Sequence, residues 1–237
     1  NESIVSAFRD NQVLKFTREG KFLMQIGKPS QSKGSNDIQN LKAPAKMFVD
    51  QKTNELFVAD GYGNARVHRF TADGKLLESW GEPGSGPGQF HVVHGIAVDS
   101  AGTVYVADRE NGRIQRFTRE GKYLSEINGL GKTFSLTIQN DALYIGSQPR
   151  NEPNGAPGWI MKLDPATGKV LGRIDSPGHH SIDVTKKGVV VADPHPWHEP
   201  TRFLSFPVHI ENPPPGPAFS PLQRLPQCHL GLGIGGP

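Results

Sequence analysis

PGQFHVVHGIAVDSAGTVYVADRENGR, residues 87–113, decides the fold. Two runs of this stretch alternate β-branched or aromatic residues with period two, and an Asp-Ser-Ala-Gly turn at 99–102 separates them. The pattern predicts an antiparallel hairpin. Because the first strand of a hairpin starts at the edge where the second one ends, we expect His94 to lie beside Arg109. A candidate metal ligand is thereby placed next to a cation that can stabilise negative charge.

A second hairpin recurs along the chain and gives the fold its period. Each copy has alternating apolar positions around a tight turn with glycine, such as Asp73-Gly74. The copies are VLKFTREGKFLMQIG (13–27), VHRFTADGKLLESWG (67–81), IQRFTREGKYLSEIN (114–128) and the looser IMKLDPATGKVLGRI (160–174). A half-unit like that of residues 96–108 precedes each of the later copies, and another ends at Asp193. Starts at 67, 114 and 160 leave room for four strands per period, which is the size of a propeller blade.

Composition agrees with an all-β fold and excludes several functions. The 237 residues include 28 glycines and 20 prolines, hydrophobic residues make up 35%, and few stretches keep a helical period. The formal net charge of +3 is spread over the hairpins, so we expect no nucleic-acid partner. No apolar run has the length of a membrane span. Cys228 is the single cysteine, so no internal disulfide can form.

The segments VADGYGNARVHRF (58–70) and VADRENGRIQRF (106–117) resemble NHL repeats, and specifically two blades of the peptidyl-α-hydroxyglycine α-amidating lyases. The resemblance covers about residues 9–193 and implies an NHL-type β-propeller, six-bladed in that family. It also implies a zinc-dependent lyase that cleaves peptidyl-α-hydroxyglycine, or a related carbinolamine, to an amide and glyoxylate. Secreted or periplasmic localisation is the family habit. No signal-like segment is present at the start of this chain.

The resemblance also assigns a catalytic zinc site. Its ligands are three histidines, each at the start of the innermost strand of a different blade. Here V-H-G-I supplies His94 and H-H-S-I supplies His180, with Ser181 where the family usually has aspartate. The third histidine and one family arginine are expected before residues 9–12, outside this chain. Three imidazoles leave one zinc position open for a substrate oxygen. A structural calcium is a second expected metal.

Two further residues match the family's reacting groups. Tyr62 matches its proposed base, which could remove the substrate hydroxyl proton if zinc or Arg109 lowers the pKa of the phenol. Arg109 matches an arginine that pairs with the departing carboxylate. The Asn-x-Arg runs at 64–66 and 111–113 match positions that hold the blade together.

Each candidate also has a purely structural interpretation. Tyr62 can be a loop aromatic, and Arg109 can form a solvated ion pair with Asp108. His91 is expected at the rim and His68 at the surface, while His179 is an alternative ligand to its neighbour.

The last part of the chain breaks the pattern. Eleven of the prolines fall in residues 194–237, which predicts an irregular or disordered tail after a propeller domain at 1–193. The tail histidines could be read as a metal cluster, for which the spacing is weak evidence; they are His195, His198 and His209.

The repeat count predicts a partial ring, with about three complete blades from Ala43 to Asp175 and half a blade at each end. Open blade edges would favour self-association. Two functions follow: a lyase acting on a peptide or small hydroxylated substrate, or a non-catalytic NHL propeller that binds proteins as a scaffold. A metal-dependent sugar lactonase is a more distant third, since its acidic ligands are not evident.

Overall fold

A computed structural model describes residues 2–7, 11–35, 37–176, 179–185, 190–193 and 204–206. Twenty strands form five antiparallel sheets and one short parallel pair, and no helix occurs in these ranges. None of the described residues therefore forms a helix that could span a membrane. The fold is an all-β propeller, as the sequence predicts.

Three complete blades occupy the centre of the chain, and each runs from its innermost to its outermost strand in sequence order. The second blade is β4 (Lys46–Val49), β5 (Leu56–Asp60), β6 (Arg66–Phe70) and β7 (Leu76–Trp80). The third is β10 (Val93–Val98), β11 (Val104–Asp108), β12 (Arg113–Phe117) and β13 (Tyr123–Asn128). The fourth is β14 (Lys132–Gln139), β15 (Ala142–Gln148), β16 (Gly158–Leu163) and β17 (Val170–Ser176).

The sheets at either end have three strands each, rather than the two expected of half a blade. The first is β1 (Glu2–Ala7), β2 (Gln12–Thr17) and β3 (Phe22–Ile26), and the fifth is β18 (Ser181–Val184), β19 (Val190–Asp193) and β20 (Leu204–Phe206). β8 (Glu82–Pro83) pairs with β9 (Gln89–Phe90) in the loop between two blades. Because β20 pairs with β19, the irregular tail predicted from residue 194 is wrong for residues 204–206. The other tail residues lie outside the described ranges, with Cys228 and the three tail histidines.

The repeated turn of the sequence has one backbone geometry in three blades. In residues 71–75 the Thr71 amide donates to the Lys75 carbonyl, and the Gly74 amide donates to the Thr71 carbonyl. Gly74 has φ +87°, a left-handed conformation that favours glycine. The same two bonds close the turns at 17–21 and 118–122. These turns join the last two strands of their sheets.

The second strand of each complete blade contributes to two cores, because both faces of its sheet are covered. In β5, Leu56 and Val58 face the first blade, while Phe57 and Ala59 face the third. β11 alternates in the same way between the second and fourth blades. A fully buried side chain of this kind stabilises a fold by about 1.5–3 kcal/mol. The cores therefore lie between sheets and bind neighbouring blades to each other.

The second and third blades approach each other closely where the end of β5 meets the start of β10. A Cβ added to Gly61, which follows β5, would lie 1.7 Å from the Val93 carbonyl oxygen of β10. The backbones of two neighbouring blades thus touch where only a glycine fits. Gly61 precedes Tyr62 and Val93 precedes His94, so this contact sets the spacing between two predicted site residues.

We expect Gly61→Ala to lower the free energy of unfolding by about 3 kcal/mol, since the methyl group forces two packed backbones apart. Gly86→Ala is the matched control, because its Cβ would meet only the flexible end of Gln89, at 3.0 Å. Urea unfolding of both variants measures the difference. Equal midpoints for the two would contradict the close approach.

Candidate functional site

A buried aspartate ends the second strand of two blades and holds the loop that leads into the innermost strand. The Asp60 carboxylate accepts from the Lys42 amide at 2.9 Å, and the Asp108 carboxylate accepts from the His91 amide at 2.8 Å. Burial raises the pKa of Asp108, while hydrogen bonds from Asn111, His91 and Arg113 oppose that shift. The two repeats therefore anchor their lead-in loops in the same way.

A second repeated contact, a backbone hydrogen bond, fixes Tyr62 and Arg109 at equivalent places of their blades. The Tyr62 amide donates to the Ala43 carbonyl at 3.3 Å, and the Arg109 amide donates to the Val92 carbonyl at 3.0 Å. Both acceptor residues have positive φ, 56° at Ala43 and 64° at Val92. A β-branched residue such as Val92 adopts that conformation only under strain, which concentrates at functional sites. The backbone of both candidate residues is thus held from the neighbouring loop.

Register shifts turn the innermost strands toward the site. In β10 the pairing shifts between Val93 and Ile96, and in β14 it shifts between Thr133 and Ser135. Such bulges re-aim side chains and are frequent beside active sites. His94 lies in the first shift and Phe134 in the second. The histidine is completely buried, with an exposed fraction of 0%.

Tyr62 lies at the centre of the site and brings the four predicted residues together. Its hydroxyl is 2.7 Å from His94 Nε2, 3.4 Å from His180 Nε2 and 3.4 Å from an Arg109 guanidinium nitrogen. The rings of His94 and His180 meet edge to face with centroids 4.9 Å apart. Three blades supply these groups, and His94 and Arg109 both contact the Tyr62 hydroxyl.

The protein keeps His94 neutral and fixes its tautomer. Its Nδ1 lies within hydrogen-bonding distance of the Phe134 carbonyl, which can only accept, so the proton is on Nδ1 and Nε2 carries a lone pair. Burial lowers the pKa of His94 well below its ordinary value, and the charges of His180, Arg109 and Lys46 add to that effect. A metal-ligating histidine commonly donates its other ring nitrogen to a carbonyl in this manner.

Tyr62 is not prepared as a base by the protein alone. Burial raises the pKa of its phenol, and the nearby Arg109 charge opposes that shift only in part. Arg109 therefore does not bring the pKa of Tyr62 below its ordinary value, as proton removal by this phenol would require. At neutral pH the hydroxyl is protonated and can donate to an imidazole Nε2.

Arg109 is buried rather than solvated, with 6% exposed. Its Nε donates to Glu110 at 2.8 Å, and Lys132 contacts the same carboxylate at 3.4 Å. The ion pair proposed between Arg109 and Asp108 is wrong, since Asp108 pairs with Arg113 at 2.8 Å. The guanidinium stacks between the Tyr62 and Phe134 rings, 5.2 and 5.0 Å from their centroids. Its orientation is therefore fixed.

The remaining histidines and the Asn-x-Arg runs have structural surroundings. His91 is exposed as expected, but His68 is completely buried, with Nε2 3.5 Å from the Asp60 carboxylate, so its surface assignment is wrong. His179 is buried, and its Nε2 faces Gln148 at 3.3 Å rather than Tyr62. Arg113 also bonds two carbonyls of the 86–89 loop, in agreement with a role in holding the blade.

Sequence reasoning missed three residues of the site: Lys46, Glu110 and Phe134. Aligning the starts of the innermost strands, A-K-M, H-G-I, F-S-L and H-S-I, places Phe134 where His94 and His180 stand in their own blades. This alignment is the feature of the sequence that could have indicated Phe134 as a site residue. Lys46 follows the equivalent position in the second blade, and its Nζ donates to Ser181 Oγ at 2.7 Å. The serine at the family's aspartate position thus contacts a lysine.

Known proteins resemble this chain in repeat and in fold. The NHL repeat profile matches residues 90–117. Human NHL repeat-containing protein 3 is 34% identical over 126 residues, which cover 52% of this chain and 36% of that protein. Peptidyl-alpha-hydroxyglycine alpha-amidating lyase 2 of Drosophila melanogaster is 26% identical over 210 residues, or 83% of this chain and 50% of the relative. The chain thus contains an NHL repeat and spans at most half the length of these two relatives.

A solved structure supports the fold alone. The catalytically inactive H270A virginiamycin B lyase from Staphylococcus aureus, crystallised with quinupristin, superimposes with a TM-score of 0.57 at 17% identity. The match covers 89% of this chain and 68% of that structure. The chain therefore folds as a β-propeller, contains an NHL repeat and is similar in sequence to peptidyl-α-hydroxyglycine lyases.

The lowered pKa of His94 predicts acid destabilisation. Above pH 6.5 this histidine is neutral in both the folded and the unfolded chain; below it, the unfolded chain takes up a proton that the folded chain does not. Stability is therefore lost as pH falls from 6.5 toward the lower folded value. Unfolding of the wild type takes up a proton at His94 at pH values below 6.5. We expect His94→Gln to take up about one proton fewer on unfolding at pH 5, where the imidazole of the unfolded wild type is charged.

The measurement is the free energy of unfolding, from urea titrations, as a function of pH. His91→Gln is the control, because that side chain is exposed and should keep the wild-type slope. An unchanged slope in His94→Gln would show that His94 is not held neutral.

Proposed function

We propose that the chain acts as a lyase that cleaves a peptidyl-α-hydroxyglycine, or a related carbinolamine, to an amide and glyoxylate. The observation that carries the proposal is the convergence of two imidazole Nε2 atoms and a buried guanidinium on the Tyr62 hydroxyl, at 2.7 to 3.4 Å. The similarity to a relative named as an amidating lyase supports the same reaction class.

His94 and His180 fit part of a zinc ligand set. Both present Nε2 toward one oxygen, and His94 is neutral with its other nitrogen bonded to a carbonyl. The two imidazoles would therefore hold the metal, with Tyr62 beside it. Bound zinc would supply Lewis acidity, which lowers the pKa of a coordinated hydroxyl.

The reaction needs little covalent chemistry from the protein. The C–N bond of the carbinolamine breaks, the hydroxyl carbon becomes the aldehyde of glyoxylate, and the hydroxyl proton ends on the departing amide nitrogen. Arg109 pairs with the substrate carboxylate through its guanidinium and orients the carbinolamine. Tyr62 would accept the hydroxyl proton in its phenolate form, and zinc held by His94 and His180 would supply the positive charge that lowers the pKa of the phenol. His94 stays neutral throughout.

A non-catalytic scaffold role is the second candidate. The observation that favours it is the similarity to NHL repeat-containing protein 3, whose name states a repeat and no activity. The raised pKa of Tyr62 points in the same direction, since nothing in the protein alone prepares this phenol as a base.

Glyoxylate release from N-benzoyl-α-hydroxyglycine tests the activity. We expect Tyr62→Phe to lower kcat by about 10²- to 10⁴-fold, because the proton acceptor is removed while the ring remains. Tyr123→Phe is the control, since Tyr123 lies on the outermost strand of its blade, against Phe117. Wild-type turnover in Tyr62→Phe would refute the catalytic role, and no turnover in zinc-loaded wild type would favour the scaffold.

Metal content tests the ligands without reference to turnover. After dialysis against zinc, we expect the wild type to retain the metal and both His94→Ala and His180→Ala to lose most of it, since each removes one imidazole donor. His91→Ala should retain the wild-type amount. Equal zinc in all four proteins, measured by atomic emission, would place the metal elsewhere.

A further inference from the structure

Glu110 lies beside the site, and the proposed chemistry does not use its carboxylate. It follows Arg109 in the loop after β11, and its carboxylate accepts from the Arg109 Nε at 2.8 Å. The Glu110 side chain is 19% exposed, so the pair is largely removed from water. Burial raises the pKa of Glu110, but Arg109 and Lys132 lower it by more, and its pKa falls below the ordinary value. The carboxylate is therefore charged at neutral pH and bonds the arginine as an anion.

The repeat itself does not require a carboxylate at this position. Gly63 occupies the equivalent position in the second blade, and its amide donates to the Lys42 carbonyl at 3.0 Å. The Glu110 amide makes the same contact to the His91 carbonyl, also at 3.0 Å. A residue without a side chain thus satisfies the backbone geometry of the loop. We attribute the carboxylate of the third blade to the arginine that precedes it, Arg109.

The fourth blade holds Glu110 in place. The Glu110 carbonyl accepts from Arg150 Nη2 at 3.0 Å, and its carboxylate contacts Lys132 Nζ at 3.4 Å. Lys132 begins β14 and also donates to the Glu152 carbonyl at 3.2 Å. The carboxylate is therefore a fixed point between two blades rather than a mobile surface group.

Three contacts restrain Arg109, and each fixes a different feature of it. The backbone bond to Val92 fixes where the side chain starts, and the Tyr62 and Phe134 rings confine the guanidinium to the layer between them. A planar group can still turn within such a layer, so these two contacts do not select the nitrogens that face the site. The bond from Nε to Glu110 makes that selection. Nη1 then lies 3.4 Å from the Tyr62 hydroxyl, and Nη2 bonds to no residue in the part of the chain that the structure describes.

We propose that Glu110 is a positioning residue, which holds the Arg109 guanidinium so that its terminal nitrogens face a ligand at the imidazole pair. This inference rests on the proposed function, in which Arg109 pairs with the substrate carboxylate. The charge of Glu110 acts against the same pairing, because an anion beside the arginine offsets part of its attraction for a second anion. The geometric effect and the charge effect of Glu110 on ligand binding therefore have opposite signs, and substitutions can separate them.

Two substitutions of similar size separate position from charge. Glu110→Gln keeps an oxygen acceptor for the Arg109 Nε and removes the charge, whereas Glu110→Met removes both. The probe is N-benzoylglycine, an unreactive carboxylate. We expect Glu110→Met to weaken its binding by about tenfold, as loss of a hydrogen bond to a charged group does. Glu110→Gln should bind the probe at least as tightly as the wild type. Titration calorimetry, after dialysis against zinc, measures the affinities.

A neutral ligand and a second glutamate serve as controls. The methyl ester of N-benzoylglycine carries no charge for Arg109 to bind, so it should bind equally to the wild type and both variants and thereby report an intact site. Glu126 lies on the outermost strand of the same blade and accepts from Arg113 at 2.8 Å. Glu126→Gln and Glu126→Met are therefore matched substitutions at another arginine–glutamate pair, and both should bind the acid as the wild type does.

The outcomes separate this inference from the lyase proposal. Equal N-benzoylglycine affinity in Glu110→Gln and Glu110→Met overturns the positioning role, and so does an equal loss of acid and ester binding. Wild-type protein that does not bind the acid overturns it as well. If the two variants differ as expected but no glyoxylate is released from N-benzoyl-α-hydroxyglycine, the positioning role stands and the lyase proposal fails. If glyoxylate is released and the two variants bind the acid alike, the lyase proposal stands without it.

Discussion

Covering both faces of each central sheet is the constraint on which the rest of this structure depends. Consecutive residues of β5 point into different cores, with Val58 facing one neighbouring blade and Phe57 the other. A sheet of this kind left alone would expose one or both apolar faces to water. Stacking sheets face to face removes that exposure, and the right-handed twist of each sheet lets the stack curve around an axis. Lys46 of the second blade can then reach Ser181 of the fifth.

The curvature that buries the cores also assembles the site. Innermost strands start, and second strands end, at one rim of the blades, so residues remote in sequence meet there. Asp60 and Asp108 make this repeatable, because each buried carboxylate fixes the loop before an innermost strand. Backbone hydrogen bonds to the Ala43 and Val92 carbonyls then fix the positions of Tyr62 and Arg109, which follow the second strands. Repetition supplies the scaffold, and departures from the repeat, such as Tyr62, supply the chemistry.

Sequence reasoning predicts what the repeat determines and fails where blades interact. The period, the Thr-x-x-Gly-Lys turns and the strand ends were enough to predict the blades, and the family resemblance indicated His94, Tyr62, Arg109 and His180 as site residues. The burial of His68 was not predicted, because the side of β6 that carries it is covered rather than exposed to solvent. Lys46 was not predicted either, because its partner is 135 residues away and only the curvature of the ring joins them. Nothing local to either residue signals the contact.

A neutral His94 beside two cations creates a conflict between metal binding and charge repulsion in the site. Burial and the nearby charges keep His94 unprotonated, which leaves the Nε2 lone pair available for a metal. The same cations repel a divalent metal, and two imidazoles offset that repulsion less well than three. A substrate carboxylate held by Arg109 would cancel part of the repulsion, and a metal at the imidazoles would attract the carboxylate in turn. On the proposed function, carboxylate and metal therefore strengthen each other's binding, by the same factor in either order of addition.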